Sequence, residues 1–328
     1  MIVGAGVLGL CAAAELSGRG HAVTVLDPGG LNASAVAAGM IAPALESLTE
    51  GLPPRRAALL ARARDLWPAF AAAHGLTLHR EGADWRGADP AADLAALQAL
   101  GFEARLSEGA VHVPEDWRID VQPALDRLRG LAGVEVVRAT AAAIRRRAEA
   151  WRIEAVDGRA WSAPILILAT GVGSSLPGAP AAVAAQVEAI LPIKGQLSGV
   201  EVAVSRVVRA AGVYVAPSGR GAVIGATMEP GARDLTPDPE VAARQVAAGL
   251  ALIGAGPATF ETRVGVRGAV ADGLPLAGGA GEAGLYLALA PRRNGWLLGP
   301  MVGRVLADEI EGRAPLADAA ALDPLRFV

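Results

Sequence analysis

The stretch Met1-Ile2-Val3-Gly4-Ala5-Gly6-Val7-Leu8-Gly9 decides the fold of this 328-residue chain. Its three leading apolar residues read as the end of a buried strand, and the glycine-rich turn opens an alanine-rich helix over residues 7–16. A second apolar strand, residues 22–26, then ends at Asp27. Strand, helix and strand in such close succession form a βαβ unit, which predicts a parallel sheet.

Each position of the turn has a physical task. Gly4 permits a tight bend, Gly6 lets the backbone approach a pyrophosphate, and Gly9 lets the helix pack closely on the strand. The N–H groups and the positive dipole end of the helix stabilise phosphate charge. Asp27 can accept hydrogen bonds from both hydroxyls of an adenosine ribose, and its charge repels a 2′-phosphate. The predicted dinucleotide-binding residues here are Gly4, Gly6, Val7, Leu8, Gly9 and Asp27.

The glycine motif alone is weak evidence, because glycine occupies 41 of the 328 positions and chance matches are common. Its placement between a strand and a helix, with Asp27 standing 18 positions after Gly9, favours a bound dinucleotide. The alternative is a glycine- and alanine-rich helix that packs on a sheet and binds no ligand.

Composition excludes several classes of protein. With 52% hydrophobic residues and a net charge of -3, the chain is not disordered, and without a basic run we expect neither nucleic acid nor an acidic membrane as partner. The single cysteine, Cys11, excludes an internal disulfide and a multi-thiolate metal site. The apolar run over residues 1–16 is shorter than a membrane helix and lacks the preceding basic residues of a secretory signal. We therefore expect a cytoplasmic protein with no metal.

Hydrophobic patterning predicts the remaining elements. Helices are expected over residues 55–74, 93–100, 121–131, 239–253 and 298–310. A strand at 134–138 is expected to pair with 151–156, and 165–169 suits a central parallel strand. Residues 207–209, 212–216 and 222–226 read as an antiparallel meander, and two more strands are expected at 262–266 and 285–289.

The predicted fold class is α/β, with a Rossmann-like domain on a mainly parallel sheet and an interleaved second domain on an antiparallel or mixed sheet. We expect the dinucleotide domain at 1–50, 130–180 and 262–328, and the substrate domain at 51–129 and 181–261.

Three further stretches resemble the FAD-dependent D-amino-acid oxidase family, in particular its glycine oxidases of the thiamine pathway. They occur in the family's order and span most of the chain: Ala33-Ser34-Ala35-Val36-Ala37-Ala38-Gly39-Met40-Ile41-Ala42-Pro43; Val213-Tyr214-Val215-Ala216-Pro217 leading to Ile224-Gly225-Ala226-Thr227-Met228-Glu229; and Gly265-Val266-Arg267 through Asp272-Gly273-Leu274-Pro275 to Arg293-Asn294-Gly295.

The resemblance implies FAD as the cofactor, held without a covalent bond because Cys11 does not stand where flavinylated relatives carry their cysteine. Small residues past the pyrophosphate let the main chain lie against a flat ring, and a second helix N-terminus after Asn294 could stabilise charge on the reduced flavin. The further FAD-binding residues so implied are Ser34, Ala35, Gly39, Met40, Ile41, Val137, Gly171, Arg293, Asn294, Gly295, Trp296 and Leu297.

The resemblance also implies a small amino-acid substrate, with molecular oxygen as the acceptor. Arg267 ends an apolar strand, and its planar fork suits a carboxylate. Tyr214 stands where the family has a tyrosine that hydrogen-bonds the carboxylate, Arg293 stands beside flavin and substrate, and Met228 could line the pocket. Structural roles remain open for each: an ion pair for Arg267, core packing for Tyr214 and Met228, and a surface or helix-capping position for Arg293.

The expected reaction is oxidation of glycine, sarcosine or a small D-amino acid to the imino acid, with hydride transfer to flavin and formation of hydrogen peroxide. Alternatives are an amino-acid dehydrogenase with a different acceptor, an NAD-dependent dehydrogenase, and a flavoprotein subunit without activity. Whether the chain forms a homo-oligomer is left open.

Overall fold

The computed structural model describes residues 1–327, which fold into two compact units. The first unit comprises Met1–Ala35, Leu125–Ile193 and the chain from Val266 onward. The second comprises Val36–Ala124 and Lys194–Gly265. Each unit is therefore assembled from separate stretches of chain.

The strands among the described residues are β1 Ile2–Val3, β2 Val23–Asp27, β3 Met40–Ile41, β4 Leu78–His79, β5 Ala83–Trp85, β6 Arg105–Ser107, β7 Ala110–Val113, β8 Trp117–Ile119, β9 Val134–Arg138, β10 Ala141–Arg147, β11 Ala150–Ala155, β12 Ala160–Ala163, β13 Leu166–Leu168, β14 Leu191–Val200, β15 Val207–Ala210, β16 Val213–Ser218, β17 Gly221–Gly225, β18 Glu229–Pro230, β19 Phe260–Ala269, β20 Leu276–Gly279 and β21 Leu285–Leu289.

The helices in the same part of the chain are α1 Val7–Gly18, α2 Ala33–Val36, α3 Pro43–Thr49, α4 Pro54–Asp65, α5 Trp67–His74, α6 Pro90–Ala99, α7 Val121–Arg129, α8 Ala181–Glu188, α9 Pro239–Leu252, α10 Gly295–Ile310 and α11 Ala319–Leu322, with a short 3-10 turn at Pro324–Phe327. Across residues 1–327, no helix combines the length and the apolar character needed to cross a membrane.

The first unit contains a six-stranded sheet in the order β20-β21-β13-β1-β2-β9. It is parallel except at its edge, where β20 runs antiparallel to β21. Ile2 lies between Ile167 and Val25 in the register of this sheet, so the first residues of the chain occupy its centre. Apolar side chains on both faces bury this region, as expected for parallel strands covered by helices.

One predicted strand pairing is wrong. β9 does not pair with β11; it runs parallel to β2, with Val23 opposite Val134. β11 instead forms an antiparallel hairpin with β10, across a turn where Ala148 has a φ of 50°. The sequence does not reveal this partner because β10, Ala141–Arg147, has Ile144 as its single β-branched residue among alanines and arginines and so lacks the alternation that marks a strand.

The second unit contains a nine-stranded mixed sheet, ordered β18-β14-β17-β16-β15-β5-β7-β6 with β19 paired to β14. The predicted meander is present, since β15, β16 and β17 are successive antiparallel neighbours. The sheet is mixed, because β15 runs parallel to β5 and antiparallel to β16. The predicted fold class, a parallel sheet domain with an interleaved mixed-sheet domain, is confirmed.

Two predicted helix boundaries are wrong. The helix expected over 55–74 is two helices, α4 and α5, which meet at Leu66; Pro68 in the first turn of α5 cannot donate the N–H that a continuous helix needs. The C-terminal helix begins at Gly295 rather than at 298, and it continues through Pro300. Because Pro300 has no N–H, α10 lacks the one hydrogen bond that residue 300 of a regular helix would donate to the Trp296 carbonyl.

Candidate functional site

The glycine turn of the first unit is closed by backbone contacts that only glycine allows. Gly4 has a φ of 110°, and a Cβ there would run into the carbonyl of Ala169 at the end of β13. A Cβ on Gly9 would run into the carbonyl of Gly4. The turn therefore packs directly against the carboxyl ends of β1 and β13, where α/β proteins bind dinucleotides.

The N-terminus of α1 keeps donors for an anion. Its N-cap is Gly6, which supplies no side-chain oxygen. The Val7 N–H donates to Ser34 Oγ at 2.9 Å, whereas the N–H groups of Leu8 and Gly9 have no partner within the helix by its geometry. Because these donors coincide with the positive end of the helix dipole, they suit a pyrophosphate.

Asp27 lies at the end of β2, beside the same turn. Its Oδ2 accepts from the Ala5 N–H at 2.7 Å, and its Oδ1 accepts from the Gly29 N–H at 2.7 Å. A carboxylate oxygen has two lone pairs, so each can still accept a ribose hydroxyl. The contact with Ala5 was not foreseen: Asp27 also holds the glycine turn.

The structure places Val137 and Gly171 near the carboxyl ends of two strands of the six-stranded sheet, β9 and β13, which are separated by β1 and β2. Val137 on β9 is the register partner of Leu26, one residue before Asp27. Gly171, with a φ of 67°, follows β13 in the first turn after that strand. Both predicted contacts thus lie at the carboxyl edge of the six-stranded sheet.

A second helix N-terminus opens beside the first. α10 has Asn294 as its N-cap, whose side chain accepts no capping hydrogen bond, and a Cβ on Gly295 would come within 3.1 Å of Val7 Cγ1. Trp296 donates from Nε1 to the Ser34 carbonyl at 3.2 Å. Leu297 is buried.

α1 and α10 run in the same direction, because Val7 contacts the start of α10 while Cys11 lies against the later glycines. A Cβ on Gly299 would meet Cys11 Sγ at 2.8 Å, and a Cβ on Gly303 would meet the Cys11 carbonyl oxygen at 2.7 Å. The positive ends of the two helix dipoles therefore lie together at one edge of the sheet.

Burial raises the pKa of the Cys11 thiol and keeps it protonated.

Arg267 and Arg293 belong to two backbone segments of the first unit that are joined directly. The Arg292 N–H donates to the Gly268 carbonyl at 2.7 Å, and Ala269 forms an antiparallel bridge with Pro291. Arg267 and Arg293 are both half-buried. Their neighbours Ala290 and Arg292 have φ values of 57° and 51°, a strained conformation that often marks functional loops.

In the second unit, the stretch after Ala35 is held by β8. Gly39 has a φ of 73°, and a Cβ there would run into the Ile119 carbonyl. The Ile119 N–H donates to the Gly39 carbonyl at 2.9 Å, and Met40 and Ile41 form β3 beside β8. This stretch is therefore fixed by main-chain bonds, as a surface for a flat ring requires.

Asp116, which the sequence analysis did not identify, anchors the residues that follow. It is 1% exposed and accepts from the N–H groups of Ala44 and Leu45, each at 2.9 Å. Burial raises the pKa of Asp116 to about 6, and the two N–H donors and the charges of Arg209 and Arg64 oppose that rise. No local motif marks this role, since 72 residues separate Asp116 from Ala44.

Tyr214 and Met228 lie in different surroundings within the second unit. Tyr214, on β16, is half-buried between Arg209 and Gly225 in the sheet register. Its hydroxyl lies over Gly225, where a Cβ would come within 2.6 Å of it. Met228 follows β17 and is 37% exposed.

Among residues 1–327, no group of three or more His, Cys, Asp or Glu side chains is arranged to hold a metal ion.

Comparison with known families identifies the chain. Residues 1–309 match the family described as FAD dependent oxidoreductase. The chain belongs to this family. The predicted FAD-dependent oxidoreductase activity is thereby confirmed, and the family match selects FAD over the nicotinamide alternative. The glycine turn, the N–H groups of Leu8 and Gly9 at the start of α1, and Asp27 fit the adenine dinucleotide of FAD.

Curated relatives of this FAD-dependent oxidoreductase match it over its whole length. A glycine oxidase of Geobacillus kaustophilus (strain HTA426) is 30% identical and aligned over 100% of this chain and 96% of its own. A glycine oxidase of Pseudomonas aeruginosa PAO1 is 28% identical over 99% and 98%. These matches confirm the resemblance noted from the sequence.

Solved structures of two oxidases have the same fold as this chain. The crystal structure of glycine oxidase from Geobacillus kaustophilus has a TM-score of 0.82 at 25% identity and covers 100% of this chain and 98% of its own. That of iminodiacetate oxidase from Chelativorans sp. BNC1 has a TM-score of 0.81 at 25% identity, covering 98% of both chains. The FAD-dependent oxidoreductase thus shares its fold with enzymes whose names include small amino-acid substrates.

Proposed function

We propose that this FAD-dependent oxidoreductase oxidises a small amino acid, namely glycine, sarcosine or a small D-amino acid, to the imino acid and passes the electrons to oxygen. The observation that carries the proposal is the full-length match to glycine oxidases, at 30% identity to the relative from Geobacillus kaustophilus. Iminodiacetate, the substrate named for a similar structure, is also an amino acid with a small carbon skeleton.

FAD, when bound, accepts the hydride from the substrate α-carbon. The chain's own residues have to bind the cofactor non-covalently. We assign the pyrophosphate to the turn from Gly4 to Gly9 and the ribose to Asp27. The ring is assigned to Ser34, Ala35, Gly39, Met40 and Ile41, with Val137 and Gly171 on the adenine and pyrophosphate side and the start of α10, Arg293 to Leu297, on the ring side.

Arg267 is assigned to the substrate carboxylate. A guanidinium binds a carboxylate through two parallel N–H···O bonds, which orients the α-carbon as well as capturing the charge. Holding that carbon in one orientation lowers the entropic part of the barrier to hydride transfer. Tyr214 is assigned a hydrogen bond to the same carboxylate, Arg293 a position beside ring and substrate, and Met228 part of the apolar wall.

No dedicated general base is needed if the amine reacts in its neutral form, so the assigned residues suffice for hydride transfer. The proton lost from the ammonium goes to solvent before the transfer. Oxygen then takes up two electrons and two protons to give hydrogen peroxide.

Anaerobic reduction of the purified holoenzyme tests the proposal. Glycine, sarcosine, iminodiacetate, D-alanine and D-proline are mixed with it separately, and bleaching of the flavin band near roughly 450 nm is followed. Glycolate, which has the carboxylate but no amine, is the control. Bleaching by at least one amino acid and not by glycolate is the expected result.

Oxygen is then admitted, and we expect one hydrogen peroxide per reduced flavin. Failure of every amino acid to bleach the flavin would contradict the amino-acid assignment. Bleaching followed by slow return of colour in air would instead contradict oxygen as the acceptor and support a dehydrogenase.

A further inference from the structure

In the second unit, segment 226–238 connects β17 to α9, and none of the side chains in this segment is buried. It carries Met228, and Leu235 within it is 62% exposed. A segment of this kind is not fixed by apolar packing, so its position has to come from polar contacts. β18, Glu229–Pro230, lies inside the segment and is a neighbour of β14 in the sheet. Two side chains of β14 add further polar contacts.

Lys194 is the first of them. It is the single lysine of the sequence, beside 29 arginines, and it is only 6% exposed. Its ammonium donates to Asp234 Oδ1 at 2.7 Å and lies 4.0 Å from Glu229 Oε2. A buried ammonium needs such partners because desolvation penalises its charge. The ion pair therefore holds the middle of the segment on β14.

Gln196 is the second, and it lies two residues further along the same face of β14. Its side chain forms a reciprocal pair with the backbone of Asp238: Nε2 donates to the Asp238 carbonyl, and Oε1 accepts from the Asp238 N–H, both at 2.9 Å. Its backbone N–H also donates to Thr227 Oγ1 at 2.9 Å. Gln196 thus binds both ends of the segment.

The two residues bind the segment in complementary ways. The amide pair of Gln196 is buried, and Asp238 in turn caps α9 through the N–H groups of Glu240 and Val241. The ends of the segment are therefore continuous with regular structure. Its middle contains β18, which is a neighbour of β14 in the sheet, and it is also held by the ion pair of Lys194 with Asp234, whose side chain is 57% exposed. The ion pair is the contact of the middle that a single substitution can remove.

We infer that Lys194 and Gln196 are positioning residues that hold segment 226–238, and with it Met228, in the position required for substrate capture. The inference rests on the proposed function for its kinetic part, because Met228 is assigned to the wall of the substrate pocket there. Neither residue is assigned a contact with the substrate. Release of the segment lowers the affinity for the amino acid and leaves the chemical step unchanged.

Two variants remove the ion pair that holds the middle of the segment. Lys194→Met removes the charge and keeps the apolar stem at the buried position. Asp234→Asn removes the partner from the exposed side, so the variant folds even if Lys194→Met does not. Asp157→Asn is the matched control, because Asp157 is 50% exposed and pairs with Arg159 at the same 2.7 Å in the first unit.

Amide hydrogen exchange of the holoenzyme is the first readout, and it is independent of activity. In Asp234→Asn and Lys194→Met, exchange in peptides covering 226–238 is expected to accelerate at least about fivefold, the scale for losing a hydrogen bond to a charged group. Asp157→Asn should leave it unchanged. Equal exchange in wild type and both variants would overturn the inference.

Kinetics of anaerobic flavin reduction are the second readout. We expect the apparent substrate dissociation constant to rise about three- to tenfold in both variants, with the limiting reduction rate unchanged. Faster exchange with an unchanged dissociation constant would overturn the positioning role while leaving the proposed function intact. If no amino acid reduces the wild-type flavin, the proposed function fails, and with it the kinetic part of the inference.

Discussion

The Asp27 carboxylate accepts a hydrogen bond from the backbone N–H of Ala5 across 2.7 Å. This contact connects the end of the second parallel strand to the middle of the glycine turn, 22 residues earlier in the chain. The residue that sequence reasoning assigns to the ribose therefore also shapes the loop assigned to the pyrophosphate. A substitution at Asp27 is expected to affect both parts of the cofactor site.

Replacing Asp27 with alanine should weaken FAD binding by about 10- to 100-fold, the scale for losing hydrogen bonds to a charged group. Asp27→Asn keeps one oxygen as an acceptor for Ala5, so its loss should be smaller. Titration of each variant apoprotein with FAD, monitored by flavin fluorescence, measures the two losses of affinity. Wild-type affinity in the alanine variant would contradict the ribose assignment.

Gly303→Ala should lower the free energy of unfolding by about 1–2 kcal/mol, since overpacking exceeds the gain in helix propensity. The added Cβ would lie 2.7 Å from the Cys11 carbonyl oxygen, and a backbone atom cannot rotate away. Gly256→Ala is the control, because no atom lies within 4 Å of its Cβ position. Urea unfolding of the two variants compares them; equal midpoints would show that α1 and α10 can separate freely.

Arg267→Ala should reduce kcat/KM by an amount equivalent to about 2–4 kcal/mol, because the substrate carboxylate loses its charged partner. FAD should remain bound, as the visible spectrum will show. Arg263→Ala, four residues earlier on β19, removes an exposed arginine paired with Glu261 at 3.5 Å and serves as the control. An unchanged kcat/KM in the Arg267 variant would remove this residue from the substrate site.

The stability of the first unit should depend on Glu311 in acid. Hydrogen bonds from Arg19 and then from His21 lower the pKa of Glu311 to about 2, from an ordinary value of 4.5. Because its folded pKa is depressed, the stabilisation is complete above about pH 4.5 and is lost as the pH falls towards 2.

Glu311→Gln should therefore be less stable than wild type at pH 7, and the difference should shrink steadily below pH 4.5. Urea unfolding at pH 7, 4.5 and 3 measures this trend. Glu282→Gln, at an exposed position of the same unit, is the control. A wild-type advantage that stayed constant from pH 7 to pH 3 would contradict the ion-pair explanation.

The elements that could be predicted share a local cause. The strand at Ile2–Val3, helix α1 and the strand ending at Asp27 follow from an apolar run, a glycine turn and a second apolar run. The meander of β15, β16 and β17 follows from short strands separated by turn residues. In both cases the signal lies within a few residues of the structure it specifies.

The partner of β9 and the anchor at Asp116 could not be predicted in the same way. β9 has two apolar candidates for pairing, and the choice of β2 depends on α7 returning the chain parallel to it. In the sequence, nothing distinguishes Asp116 from other acidic residues that precede a strand. Its burial, and the two N–H groups it accepts from, exist only once residues 44–45 fold over it.

Glycine spacing and the lengths of apolar runs act through backbone sterics and burial, which are short-range effects. The amino-acid sequence alone was therefore sufficient to predict the βαβ unit, the α/β class and the dinucleotide turn. Strand partners, the parallel course of α1 and α10 and the bond from Trp296 to Ser34, 262 residues apart, required the folded chain. Such contacts have no local signature because any of many distant residues could satisfy the same donor or fill the same space, and the packing of the whole unit selects one.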